Sequence, residues 1–124
     1  MILVDTSVWV DHLRTGEAGL VTLLNEGSVL THPFVIEEVA CGNLSRRKEV
    51  LDLLRALPVA PLAEHEEVLN FIASERLYGR GLGAVDAHLM ASARLARAKI
   101  WSRDKALSRA AKRLNLLAGS ETHA

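Results

Sequence analysis

Short runs of apolar residues alternate with longer stretches of helical periodicity along the chain. Ile2–Val4 is an apolar run typical of a strand buried on both faces. Trp9, Val10 and Leu13 then recur at helical spacing until Thr15-Gly16 stops the helix. By these criteria we predict helices around residues 9–14, 20–24, 33–41, 46–57, 64–76, 84–98 and 104–114, and extended segments at 2–4, 29–31, 58–62, 99–102 and 115–117.

This alternation of strands and helices predicts an α/β fold. Its expected form is a short parallel sheet of about four to five strands flanked by α-helices. The length of 124 residues is that of one domain, and the 49% apolar content is enough for a hydrophobic core. We therefore predict a single domain over residues 1–117, followed by a short flexible tail over 118–124.

Composition narrows the range of functions. The 15 basic and 15 acidic residues cancel, which argues against a protein that wraps nucleic acid by net charge alone. The lone cysteine, Cys41, excludes an intrachain disulfide, fits a reducing compartment, and is expected to be a small buried side chain. No basic leader and no apolar run of about 20 residues occurs, so we expect a cytoplasmic protein with no membrane segment.

Four acidic residues lie near the points where a predicted strand is followed by a helix: Asp5, Glu38, Asp86 and Asp104. Ligands of open parallel sheets bind in the crevice at the carboxyl ends of the strands. Carboxylates that converge there repel one another unless a cation lies between them, and oxygen-only ligands favour Mg²⁺ or Mn²⁺. Taken singly, each Asp is a plausible helix N-cap and Glu38 a plausible solvated helix residue. Capping does not explain the whole set.

Four short motifs in a fixed order make the chain resemble the PIN-domain ribonucleases, and among them the VapC-type toxins of bacterial toxin–antitoxin pairs. Each motif alone is weak, but together they extend from residue 1 to about residue 117. They are Ile2-Leu3-Val4-Asp5-Thr6-Ser7, Glu38-Val39-Ala40-Cys41-Gly42, Asp86-Ala87-His88-Leu89-Met90-Ala91 and Trp101-Ser102-Arg103-Asp104-Lys105.

The resemblance implies a PIN-like fold and an Mg²⁺-dependent endoribonuclease that leaves a 5′-phosphate and a 3′-hydroxyl. It makes the four acids catalytic metal ligands, with Mn²⁺ a possible substitute. Ser7 corresponds to a small polar residue that orients the site, and Ser102 supports it where many members have Thr. The adjacent Glu37 is a second candidate acid, although the spacing to Gly42 favours Glu38. The implied partners are RNA, a VapB-type antitoxin and a second copy of the chain.

Three arginines are candidates for holding the RNA backbone: Arg14, Arg80 and Arg103, which lie near the predicted rims of the cleft. Solvated surface is the alternative for each of them. Other functions also remain open. A phospho-acceptor signalling module requires a pair of acids at the end of the first strand. A haloacid-dehalogenase-type phosphatase requires a second Asp at the position that Ser7 occupies. A catalytically inactive adaptor of the same fold is the third alternative.

Overall fold

The computed structural model describes residues 1–119, so most of the predicted tail over 118–124 lies outside the described residues. Strands and helices alternate as the pattern predicts, with seven helices and three strands in the described part. In chain order they are β1 (Ile2–Val4), α1 (Thr6–Thr15), α2 (Ala18–Asn25), β2 (Val29–Leu30), α3 (Pro33–Ala40), α4 (Arg47–Ala56), α5 (His65–Ser74), α6 (Ala84–Ala96), β3 (Lys99–Trp101) and α7 (Lys105–Arg113).

The sheet is parallel and its strand order is β2-β1-β3, so the first strand is central. Within residues 1–119 it has three strands rather than the predicted four to five, and a single-residue parallel bridge extends each edge. Thr31 pairs with Val59 on one side, and Ile100 with Leu117 on the other. Pro58 and Pro61 flank Val59, and because proline cannot donate to a ladder the predicted strand at 58–62 shortens to one bridge.

The core lies between this sheet and the helices packed on it. Leu3 and Val4 of β1 are fully buried, as expected for a central strand covered on both faces. Helix α6 packs against β3 and α5, and α1 packs against α3. The small side chains of α6 are buried, including Ala87, Ala91 and Ala93, which allows close approach to its neighbours.

Some local expectations were wrong. Helix α6 ends at Ala96 rather than at 98, because Arg97 adopts the left-handed conformation (φ 53°) and reverses the chain. Cys41 is exposed, since it follows the last turn of α3 instead of facing the core. Trp9 is buried, and Trp101 is half-buried and packs against the core. No helix within residues 1–119 is both long and apolar enough to cross a membrane.

Candidate active site

The four predicted acids occupy the carboxyl-end side of the sheet. Asp5 directly follows β1 and is buried, whereas Asp104 lies three residues after β3 and is exposed. Asp86 is the third residue of α6 and is half-buried, and Glu38 is exposed on α3. Because β1 and β3 are hydrogen-bonded neighbours, their ends bring Asp5 and the segment leading to Asp104 together.

A hydroxyl network ties these two strand ends to each other. Asp5 Oδ2 accepts hydrogen bonds from Ser7 Oγ at 2.7 Å and from Ser102 Oγ at 2.8 Å. Ser7 Oγ in turn accepts from the Arg103 backbone N–H at 2.9 Å, and Ser102 Oγ accepts from the Asp104 backbone N–H at 3.0 Å. The two serines predicted to support the site therefore fix the Asp5 carboxylate relative to the loop that carries Asp104.

Glu38 is held by a residue to which the sequence analysis assigned no role. Thr6 Oγ1 donates a hydrogen bond to Glu38 Oε1 at 2.6 Å across 32 positions of sequence. The available signal was the position of Thr6 inside the Asp5-Thr6-Ser7 motif. Glu37 lines a pocket of about 370 Å³ together with Glu38, but no hydrogen bond from another described residue orients its side chain. The geometry thus favours Glu38 over Glu37.

The pKa of Asp86 reflects both its burial and the charges of the other three acids. Burial is the largest influence and raises the pKa of its carboxyl group. A hydrogen bond from the Gly83 N–H to Asp86 Oδ2, 2.9 Å long, opposes that rise. The negative charges of Asp104, Asp5 and Glu38 raise the pKa further. Asp86 therefore lies close enough to each of the other three acids to be repelled by them, and a cation placed between them would relieve that repulsion.

Helix capping is also present, and it leaves room for a second role. Asp5 caps α1 through the Ser7 N–H, and Asp104 caps α7 through a hydrogen bond of 2.9 Å from the Leu107 N–H to Oδ1. Each of the four carboxylates accepts its hydrogen bonds on a single oxygen. Within residues 1–119 no hydrogen bond reaches Asp5 Oδ1, Glu38 Oε2, Asp86 Oδ1 or Asp104 Oδ2. One oxygen of every acid therefore remains available to a ligand.

The donor set matches a hard divalent cation in chemistry, because it consists of carboxylates without thiolate or imidazole. The side chains do not form a closed cage: within residues 1–119 no group of three or more His, Cys, Asp or Glu side chains lies close enough together to hold a metal ion. Mg²⁺ keeps several of its waters and commonly uses only one or two protein carboxylates, so an open arrangement still suits it.

The three predicted RNA-binding arginines are placed differently. Arg14 lines a groove of about 480 Å³ between α1 and α3, together with Glu38. Arg80 lines a separate cleft against α7. Arg103 is paired with acidic residues of the chain itself. Its guanidinium group donates to Asp11 at 2.7 Å and to Glu17, and it lies 5.8 Å from the centre of the Trp101 ring. That contact with Arg103 lowers the pKa of Glu17.

Comparison with known proteins gives consistent matches. The PIN-domain family matches residues 2–113 of the chain. Ribonuclease VapC32 from two strains of Mycobacterium tuberculosis, CDC 1551 / Oshkosh and H37Rv, is 52% identical over 111 residues, which cover 89% of this chain and 90% of each relative.

Two solved structures share the fold. FitAcB from Neisseria gonorrhoeae superposes with a TM-score of 0.61 at 23% identity, over 90% of this chain and 94% of that one. PAE2754 from Pyrobaculum aerophilum gives a TM-score of 0.60 at 17% identity, over 88% of this chain and 78% of that one. At these identities the likeness concerns the fold alone.

Proposed function

The chain belongs to the VapC-type ribonucleases of the PIN-domain family, and on that premise we propose that it is an Mg²⁺-dependent endoribonuclease toxin. The proposed metal ligands are Asp5, Glu38, Asp86 and Asp104, with Mn²⁺ as a possible substitute. The observation that carries this proposal is the position of Asp86, half-buried and within electrostatic reach of Asp5, Glu38 and Asp104. Burial raises the pKa of Asp86 and the three other charges raise it further, while one oxygen of each acid accepts no hydrogen bond from residues 1–119.

The proposed reaction is hydrolysis of an RNA phosphodiester bond. A water oxygen adds to phosphorus, the bond from phosphorus to the 3′ oxygen breaks, and that oxygen takes up a proton. The products are a 5′-phosphate and a 3′-hydroxyl. A divalent ion, when bound, supplies Lewis-acid activation of the water and stabilises the negative charge on the phosphoryl group.

The residues of the chain keep the acids in place for this chemistry. Ser7 and Ser102 hold Oδ2 of Asp5, so its orientation is set before any ligand arrives. Thr6 performs the same task for Glu38 on the exposed side of the site, and the Gly83 N–H does so for Asp86. Because the bonds from Ser102 and Thr6 join segments distant in sequence, this part of the site is a product of the folded chain.

Cleavage of total cellular RNA by the purified protein, free of antitoxin, tests the proposal. We expect discrete new 5′ ends in Mg²⁺ and none in EDTA. Asp5→Asn should abolish them while folding is retained, because asparagine caps a helix as well as aspartate does. Asp52→Asn is the matched control, since Asp52 forms an exposed pair with Lys48 on α4, away from the cluster. Cleavage that survives Asp5→Asn or EDTA would contradict the proposal.

Metal binding can be tested without activity. Mg²⁺ should raise the unfolding temperature because it binds only the folded state. Asp86→Asn should lose much of that increment, and Glu38→Gln should lose more of it than Glu37→Gln, its neighbour on the same helix. Equal losses at Glu37 and Glu38 would argue against Glu38 as the ligand, and an unchanged increment in Asp86→Asn would argue against Asp86.

The alternative functions are separated by the same experiments. A folded, metal-binding protein that produces no cleavage would favour an inactive adaptor of the PIN fold or an Mg²⁺-binding signalling module. The signalling module has little support, because Asp5 is followed by Thr6 and Ser7 and not by a second acid at the end of β1. Both hydroxyls are already engaged with Glu38 and Asp5.

We also propose a VapB-type antitoxin and a homodimer as partners, acting in the cytoplasm where the RNA substrate lies. The groove between α1 and α3 supports an antitoxin site, because exposed Val10 and Leu13 line it beside Arg14 and Glu38. An antitoxin segment there would cover one acid of the cluster. Light scattering of the free chain tests the dimer, and Leu13→Glu should weaken co-purification with the antitoxin if the groove is its site.

A further inference from the structure

A basic cleft separates the glycine-rich loop from α7. One wall is a single face of α7 formed by Ala106, Arg109, Ala110 and Arg113, which recur at the i, i+3, i+4, i+7 spacing of a helix surface. Gly79 and Arg80 of the loop form the other wall. The cleft has a volume of about 480 Å³, and the alanine side chains in the α7 wall are small.

The cleft concentrates positive charge in a chain with no net charge. Three of its six lining residues are arginines and none is acidic. Helix α7 carries two further basic residues, Lys105 and Lys112, and no acidic one between Lys105 and Arg113. Fifteen acidic residues balance fifteen basic ones overall, so this one-signed surface is a local feature. It would attract a polyanion that the whole molecule does not.

Helix capping accounts for two of the three arginines. Arg80 Nε donates to the Arg76 carbonyl at 2.7 Å, and Arg113 Nη2 donates to the Glu75 carbonyl at 2.6 Å. Both carbonyls lie just beyond α5, where a helix end carries partial negative charge. These bonds fix the two guanidinium groups, while their other N–H groups remain available.

Arg109, by contrast, binds no helix-end carbonyl of the described residues. Within residues 1–119 its guanidinium group forms no hydrogen bond and no ion pair, and its side chain is exposed in the middle of the same face. A planar guanidinium group matches the oxygens of a phosphate in two-pronged contact. A free guanidinium between two fixed ones therefore suits a chain of phosphates better than a single small anion.

The cleft also borders the acidic site. Ala106 follows Asp104 by two residues, and the loop continues from Gly81 to Gly83, whose N–H holds Asp86. The loop lies against α7, since a Cβ on Gly81 would stand 3.9 Å from the Ala106 Cβ. Gly81 itself has φ 77°, a conformation that favours glycine. A strand lying in the cleft would therefore pass directly to the carboxylates.

Resting on the proposed function, we propose that Arg80, Arg109 and Arg113 bind the backbone phosphates of the RNA strand that flanks the bond to be cleaved. Arg109 makes the contact that depends most on RNA, because nothing in the described protein engages it. An acidic protein segment would also be attracted to the cleft. Its proximity to Asp86 and Asp104, where the phosphodiester must lie, favours RNA.

The test compares Arg109→Gln with Arg97→Gln in EDTA, so that no RNA is cleaved. Arg97 is the matched control: it follows the last turn of α6, about 16 Å along the helix from Asp86, and it forms no hydrogen bond or ion pair through its side chain with the described residues. The probe is a fluorescein-labelled oligouridylate of about 12 nucleotides, a length typical of single-strand sites. Anisotropy is measured over a range of NaCl concentrations.

We expect Arg109→Gln to bind the probe about tenfold more weakly at low salt, as for loss of a charge-assisted phosphate contact. The slope of log K against log salt should fall by about 0.7, the value for one phosphate of a single strand. The unfolding temperature should stay unchanged, because the Arg109 side chain has no hydrogen-bond or ion-pair partner in the described part of the chain. Arg97→Gln should match the wild-type protein in all three measurements.

Several outcomes would overturn the proposal. Equal affinity and equal salt slope for Arg109→Gln and the wild type would do so, as would a wild type that does not bind the probe. Metal-dependent cleavage by the wild type, measured separately, would leave the ribonuclease function standing in either case. Weaker binding of a poly-glutamate peptide to Arg109→Gln, with RNA binding unchanged, would assign the cleft to an acidic protein segment.

Discussion

Burial of His32 makes the stability of this protein depend on pH. The side chain is 2% exposed, and its Nδ1 accepts a hydrogen bond of 3.0 Å from the Phe34 N–H, which caps helix α3. Its Nε2 is buried and has no hydrogen-bond partner among the described residues. Burial, and secondarily the charge of the neighbouring His88, lower the pKa of His32 from 6.5 to about 4.

The direction and size of the effect follow from linkage. His32 binds its proton more tightly in the unfolded chain than in the folded one. The stability that neutral His32 contributes is therefore fully present above about pH 6.5 and is lost as pH falls toward about 4. At about 1.4 kcal/mol per pH unit, that interval corresponds to about 3 kcal/mol. Protonation of Nδ1 would also remove the cap of the helix that carries Glu38.

Urea unfolding followed by circular dichroism, in EDTA and at a series of pH values, measures this loss. His32→Asn retains a capping side chain but cannot titrate, and it should be less stable than the wild type near neutral pH because it packs less well. The difference in unfolding free energy between the two proteins should shrink as pH falls from about 6.5 to 4.5. His65→Asn, which removes an exposed histidine from α5, is the matched control.

Comparing the two proteins isolates His32 from the other groups whose pKa values are shifted in the folded protein. The raised pKa of Asp86 has the opposite sign, because stability is gained when that carboxyl group protonates. The lowered pKa of Glu17 adds stability that is lost at lower pH. Both act equally in wild type and His32→Asn. Parallel stability curves for the two proteins would refute the reasoning.

Three further predictions concern stability and charge. Asp86→Asn should raise the unfolding temperature in EDTA, because it removes a half-buried charge repelled by three others; a lower temperature would contradict the repulsion. Leu54→Ala should lower the unfolding free energy by about 3 kcal/mol, since Leu54 is fully buried, and a loss below about 1 kcal/mol in urea would count against its place in the core. Arg103→Lys should weaken the paired contact with Asp11 and Glu17. The pKa of Glu17, measured by NMR, should then move toward its ordinary value of 4.5. An unmoved pKa would contradict the ion pair.

Much of the architecture was predictable because its causes are local. A continuous apolar run marks a strand buried on both faces, as Ile2–Val4 shows. Proline at the start of a helix marks α3, where Pro33 occupies the first turn. The alanine-rich periodicity of α6 and the caps at Asp5 and Asp104 need only neighbouring residues. These features determined the α/β class and the order of the elements.

The motif spacing likewise singled out Asp5, Glu38 and Asp104, which the fold places within electrostatic reach of Asp86. It could not show how Asp5 and Glu38 are oriented, because that depends on partners far away in sequence. Ser102 reaches Asp5 across 97 positions, and Thr6 reaches Glu38 across 32. Such contacts exist only once the parallel strands and their connecting helices have brought distant segments together.

The sequence by itself determined the fold class and the family, and it singled out four acidic residues as candidate ligands, since these inferences rest on local periodicity and short motifs. Only the tertiary structure decided the state of the arginines. It paired Arg103 with Asp11 and Glu17, and it placed Arg109 in a cleft beside the site, where no residue among 1–119 forms a hydrogen bond or ion pair with its side chain. The physical reason is that a charged side chain's role depends on what surrounds it, and packing sets those surroundings across the whole chain.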